Sequence, residues 1–134
     1  MPLTVRVYEE LALIWVEGSG VVSDADLKEY VEEFLVKRGL REYDEIFDLS
    51  QADLLDITYL GLSSVASAAA PTDPEDTSTR IAILVSETVG LGISRMYQTI
   101  RETKGGRRNL RIFRDFSPLR DWMGLPADWT EEGR

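Results

Sequence analysis

The 134-residue sequence contains no cysteine and no histidine. The first absence excludes disulfide frameworks, thiolate metal sites and cysteine nucleophiles. The second removes imidazole ligands and every triad or general-base scheme built on imidazole. An acid or base in this chain has to be a carboxylate, Lys or Tyr with a shifted pKa, a less usual solution near neutral pH. Long apolar runs are missing too. The longest, Leu11 to Val16, falls far short of a membrane span, and the N-terminus lacks a basic segment leading into an apolar signal core. Together these features predict a soluble cytoplasmic protein that is not membrane-spanning. The length suits one domain, which buries roughly two thirds of its unfolded surface without disulfide or metal staples.

Acidic residues dominate, and they are unevenly placed. The net charge is −9, yet residues 95–120 hold eight of the fifteen basic residues and only Glu102 and Asp115 as acids. That segment is +6 and the remainder −15. The asymmetry either steers an anionic partner to one face or serves solubility alone.

Hydrophobic spacing divides the chain into strands and helices. Leu3, Val5 and Val7 alternate with Thr4, Arg6 and Tyr8, the period of a half-buried strand, and Glu9 with Glu10 marks a turn. Leu11 to Val16 reads as an interior strand ended by Gly18, Ser19 and Gly20, so the first two strands form a hairpin. Ser23 with Asp26 is a capping-box variant, followed by Leu27, Tyr30, Val31, Phe34 and Leu35 at helical spacing and by Gly39 as the stop.

The stretch from Glu45 to Ala70 reads as strand, loop, helix. Ile46, Phe47 and Leu49 form a buried strand, and Ser63, Ser64, Ala66, Ser67, Ala68, Ala69 and Ala70 let the helix lie close to a sheet. Pro71 to Thr79 has the composition of an exposed loop. Arg80 to Ser86 is a further strand, Val89, Ile93, Met96, Tyr97 and Ile100 return to helical spacing, and Asn109 to Arg114 is a final strand. Ser117 and Pro118 start a short helix closed by Gly124 and Pro126. Strands joined through helices run parallel. The expected architecture is therefore an α/β sandwich with a mixed, mostly parallel sheet of about five strands and about four helices.

Three constellations are candidates for chemistry. Gly90 and Gly92, placed between a strand and a helix, suggest a turn whose free N–H groups hold an anion, with Arg95 adding charge; the third glycine of a nucleotide-binding pattern is replaced by Arg95 itself. A plain strand-to-helix turn is the alternative. Asp48 and Asp56 flank the loop after the central strand and would suit Mg²⁺ or acid–base work, but they match no phosphatase motif, and capping with loop bonding accounts for both; no metal or cofactor is assigned. Lys104 to Arg108, read KGGRR, lacks an aromatic platform, so nucleic acid is not expected as a partner.

The succession GSGVVSDADLKEYVEEFL, FDLSQADLLDITYLGLSSV, VGLGISRMYQTIRE and LRIFRDFSPLRDWMGLP resembles the STAS fold of anti-sigma factor antagonists, specifically the SpoIIAA-like group of small bacterial STAS/SEC14-type domains. The likeness spans residues 1–125, leaving 126–134 as a loosely held tail that Trp129 could anchor. In the antagonists an Asp-Ser-Ser-Gly motif opens the central helix and its first serine is phosphorylated. The matching residues here are Asp56, Ile57, Thr58 and Tyr59. Asp56 keeps the N-cap role in this comparison, Ile57 has no hydroxyl, and Thr58 is left either as a weak phosphorylation candidate or as a structural threonine. The resemblance implies a non-catalytic regulatory or scaffolding module that binds another protein, or itself as a homodimer, beside the central helix. Its alternative is a carrier of a small molecule or lipid, in which Arg95 and Tyr97 are the polar contacts at the pocket mouth.

Overall fold

The computed structural model describes residues 2–76 and 78–129. Strands β1 (Leu3–Tyr8) and β2 (Leu13–Gly18) form the expected antiparallel hairpin, joined by a 3-10 turn over Glu9–Leu11. β3 (Gly20–Ser23) leads into α1 (Asp24–Tyr30), which continues as π-helical turns over Val31–Lys37. The capping box is formed: Asp26 N–H donates to Ser23 Oγ, and Ser23 N–H donates to the Asp26 carboxylate at 2.9 Å. Gly39, at φ +68°, closes the helix, and the Leu40 N–H donates to the Phe34 carbonyl. The i→i+5 turns bring residues four and five apart onto one face, and Val31 and Leu35 are both buried.

The chain then alternates. β4 (Asp44–Asp48), β5 (Ala52–Asp56), α2 (Tyr59–Ala69), β6 (Arg80–Leu84), α3 (Thr88–Thr103), β7 (Asn109–Phe113) and α4 (Phe116–Met123) follow in order. The main sheet has the order β1-β2-β4-β6-β7, and its last four strands are parallel. Among the described residues the architecture is the expected α/β fold, one compact domain with a mixed five-stranded sheet and four α-helices.

Two layers cover the sheet. On one face Leu13, Trp15, Ile46, Ala82 and Leu84 pack under Leu119 and Met123 of α4. Trp129 closes that side, its ring centroid 5.3 Å from Trp15 and 5.9 Å from Phe116; residues 130–134 of the expected tail lie outside the described residues. On the other face Ile14, Val16, Ile81 and Ile83 meet α1, α2 and α3. Residues covered on both faces explain the near-continuous apolar composition of β2 and β6.

Several sequence expectations need correction. A second sheet exists: β3 and β5 pair in parallel as a two-stranded ribbon, where a plain loop was expected after the central strand. Gly90 and Gly92 lie inside α3, which begins at Thr88, not in the turn before it. α4 begins at Phe116, one residue before Ser117. The segment from Pro71 is not simply an exposed loop, because Thr72 and Asp73 are buried. The small residues of α2 serve two contacts rather than one. Val65 and Ala69 pack with Ile14 and Val16, while Ala66 packs beside Ile100 of α3.

Candidate functional site

The start of α2 is built by a carboxylate from another helix. Asp24, the first residue of α1, accepts hydrogen bonds from the Thr58 N–H at 3.2 Å and from Thr58 Oγ1 at 3.1 Å. Thr58 Oγ1 in turn accepts from the Gly61 N–H at 3.0 Å. Thr58 is therefore the N-cap, and the expectation that Asp56 caps this helix is corrected: Asp56 is the last residue of β5, exposed and opposite Ser23. The physical reason is spacing. An N-cap side chain reaches the N–H two or three residues on, which for a helix starting at Tyr59 selects Thr58. A Cβ at Gly61 would lie 1.9 Å from the Asp24 carboxyl carbon, so any side chain there would push this carboxylate away from Thr58. A phosphate on Thr58 would face that carboxylate and displace the cap, which disfavours the phosphorylation reading.

Large apolar side chains are exposed at this helix start and on the β3–β5 ribbon. Tyr59 is 60 % exposed and Leu60 79 %; on the adjoining ribbon Val21 and Leu54, which stand opposite each other across the two strands, are 51 % and 56 % exposed. Ile57, by contrast, turns inward to a cavity.

That cavity, about 50 Å³, lies between the sheet and helices α1, α2 and α3. Its walls are apolar, with Leu62 and Val65 from α2, Ile93 from α3 and Phe47 from β4. One end is polar: Tyr30, Glu45, Tyr97 and Arg101 line it. Tyr30 Oη donates to Glu45 Oε2 at 2.9 Å. Burial, reinforced by the Glu45 charge, holds the Tyr30 phenol well above its ordinary range, and burial pushes Tyr97 up to about 12. Both phenols are neutral hydrogen-bonding groups at physiological pH. Burial also raises Glu45 above its ordinary value, outweighing the opposing pull of Arg108.

Behind the polar end is a buried ion cluster. Asp73, fully buried, accepts from Arg101 Nη2 at 2.6 and 2.7 Å, from Arg108 Nε at 3.0 Å and from the backbone N–H groups of Arg107 at 2.7 Å and Arg108 at 3.3 Å. Arg108 also reaches Glu45 at 3.5 Å and donates to the carbonyls of Tyr43 and Arg41. Two carboxylates and two guanidiniums thus share one dry site and balance in charge, the condition under which buried ions are tolerated. The KGGRR turn is therefore folded inward on Asp73.

The structure separates the remaining candidates. Asp48 is fully buried at the end of β4; its Oδ1 accepts from the Ser50 N–H and hydroxyl, and Oδ2 has no partner among the described residues. It does not share a site with Asp56, which stands exposed on the separate ribbon. Tyr97 faces the cavity while Arg95, two residues earlier on α3, is exposed and not part of its lining; residues two apart project from opposite sides of a helix. Gly90 packs 3.2 Å from Val85 if given a Cβ, whereas Gly92 has open space. Gly90 thus serves helix-to-strand packing.

Sequence reasoning missed Glu45, Asp73, Arg101 and Arg108. Arg101 carried a readable signal: it falls four residues after Tyr97 on the apolar stripe of α3, a position where a charge demands a buried partner. Among the described residues no group of three or more acidic side chains is placed to hold a metal ion, and no helix is long and apolar enough to cross a membrane. Comparisons with protein-family models, with curated proteins and with solved structures return no match.

Proposed function

We propose that this chain is a non-catalytic protein-interaction module, regulatory or scaffolding in kind, that docks another protein on the surface at the start of α2. The observation that carries this reading is the exposure of Tyr59, Leu60, Val21 and Leu54 on adjoining elements. Single apolar side chains are ordinary on protein surfaces, but a group of large ones gains free energy only when covered. The Asp24–Thr58–Gly61 cap fixes the helix end from which Tyr59 and Leu60 project, so little ordering remains to be done on binding. The resemblance to anti-sigma factor antagonists, whose regulated motif opens the corresponding helix, favours the same surface. Thr58 acts here as a structural cap rather than a switch.

The test is quantitative affinity capture from the native host with wild type, Leu60→Asp and Val36→Asp, the last being an exposed apolar residue on the π-helical turns. A partner recovered by wild type and Val36→Asp but lost with Leu60→Asp is the expected result. Equal recovery by Leu60→Asp removes this surface from the proposal. Sedimentation velocity of the same three proteins separates a foreign partner from a second copy of the chain.

The cavity favours a second reading, carriage of a compact small molecule. A space of about 50 Å³ takes a few waters or a small ligand, and an acyl chain would need the helices to part. A ligand seated there would lie on the apolar walls and use the Tyr97 hydroxyl, for which no hydrogen-bond partner exists among the described residues. Native mass spectrometry of the gently purified protein should then show a stoichiometric added mass that Tyr97→Phe weakens; a clean apo mass counts against carriage.

A further inference from the structure

β1 is an outer strand of the main sheet. The Ser19 N–H donates to the Pro2 carbonyl at 2.8 Å, and Thr4, Arg6 and Tyr8 stand opposite Glu17, Trp15 and Leu13. In an antiparallel ladder, bonded and non-bonded pairs alternate. Thr4, Arg6 and Tyr8 therefore direct their backbone groups to β2, and Leu3, Val5 and Val7 direct theirs outward. No backbone group of another described residue takes them. The opposite edge is better protected, since Gln98 Nε2 donates to the outward carbonyl of Leu110 on β7 at 3.0 Å. An unpaired edge of six residues with one charge is a template for another strand.

A groove of about 140 Å³ runs beside this edge. Leu3 and Val5 form one wall, and Tyr30 and Phe34, stacked with ring centroids 5.4 Å apart, form part of the other. Above them stand Glu29 and Glu33. Asp26, also in the groove, is engaged by the Ser23 cap, and Glu33 pairs with Lys37 and Arg38. Glu29 is exposed and has no ion pair among the described residues. The charge of this wall selects the occupant. A second copy adding β1 to β1 across a two-fold axis would bring the acidic α1 face against its own image, a like-charge contact that disfavours pairing.

We infer that the β1 edge accepts an extended segment of another protein that carries basic residues on alternate positions. Its backbone pairs with Leu3, Val5 and Val7, its lysine or arginine stems lie along Leu3, Val5 and Phe34, and its cationic ends meet Glu29 and Glu33. This surface is distinct from the start of α2 and stands whether or not that surface binds a partner.

The probe is an acetylated, amidated octapeptide of alternating lysine and valine, with the glutamate–valine peptide as control, followed by amide chemical shifts and titration calorimetry. The lysine peptide is expected to bind, with shifts concentrated at Leu3, Val5 and Val7, and the glutamate peptide is not. Val5→Pro removes an outward N–H while leaving the β1–β2 bonds in place, a position where an edge strand tolerates proline, and it should weaken binding about tenfold or more, as should Glu29→Lys. If Val5→Pro does not fold, Glu29→Lys alone decides. Absence of binding, or binding that neither variant weakens, overturns the inference. So does a concentration-dependent dimer abolished by Val5→Pro, which would make a second copy the occupant.

Discussion

Replacing Asp73 with Ala should be among the most damaging single substitutions in the chain. The carboxylate is fully buried and receives four donors: Arg101 Nη2, Arg108 Nε and two backbone N–H groups. Its loss leaves the Arg101 guanidinium buried without that ion pair, whereas Arg108 keeps Glu45 and two carbonyls. Breaking a buried pair by removing one partner costs about 3–5 kcal/mol. With an unfolding entropy of about 2.1 cal/mol/K per residue over 134 residues, this lowers the melting temperature by roughly 10–18 °C. The cost is a large part of the ~5–15 kcal/mol available to a typical domain. Urea unfolding followed by far-UV circular dichroism measures it directly. Asp73→Asn should lose nearly as much, because its amide N–H₂ opposes the arginine donors. Arg101→Met should lose less, since Asp73 keeps Arg108 and the backbone donors, and the Asp73→Ala/Arg101→Met double variant should lose clearly less than the sum of its singles. A loss below about 1 kcal/mol for Asp73→Ala, within the range of an exposed pair, would refute the description of this cluster as dry and mutually dependent.

Two further predictions concern the other polar centres. Gly61→Ala drives a methyl into the Asp24 carboxylate and should cost about 1–2 kcal/mol, the scale of a lost N-cap; in an Asp24→Ala background the same change should cost little, and an undiminished cost there would place the strain elsewhere. Glu45 holds its proton more tightly in the folded than in the unfolded chain, because burial raises its pKa above the ordinary 4.5. Stability should therefore fall as pH rises from that value through the raised folded-state value. Asp44, raised by its own partial burial, adds a slope of the same sign. Glu45→Gln should flatten the dependence in part, and urea midpoints across that window that are unchanged in slope would remove Glu45 from it.

The sequence was legible where one local rule governs. Period-two alternation located β1, the Ser23–Asp26 pair located the start of α1, and Gly39 its stop, because each signal acts within a few residues. The strand β5 was not legible for the converse reason. ADLLD alternates poorly, and its partner β3 lies 32 residues away by the Gly20–Ala52 register, so its pairing depends on tertiary placement. Asp73 was hidden in a loop composition of Pro, Asp and Thr that ordinarily means solvent, and Lys104 to Arg108 looked like a basic surface turn. Neither segment signals burial by itself; only their meeting does. At the proposed surface, Thr58 and Tyr59 were singled out in advance through the family resemblance, while Leu54 and Val21 were not, since an exposed apolar strand residue looks like any buried one.

The two aspartates that sequence reading undervalued hold opposite ends of the same helix. Asp24 binds the start of α2 through Thr58, and Asp73, just beyond the 3-10 turn that ends the α2 segment, is fastened to Arg101 and Arg108 on either side of the α3–β7 connection. α2 itself contributes few long side chains to the core, because its buried positions are Leu62, Val65, Ala66 and Ala69. A helix with two alanines among four buried residues gains less from burial than a leucine-rich one, at about 25 cal/mol per Å² of apolar surface. Polar anchors at its ends supply orientation that packing alone would leave loose. The small residues keep α2 close to α3 and to the sheet, and the anchors stop it from sliding along either. Tyr59 and Leu60 then project from a helix start that cannot shift without breaking the Asp24 bonds, which makes rigidity at Thr58 and exposure at Leu60 parts of one arrangement.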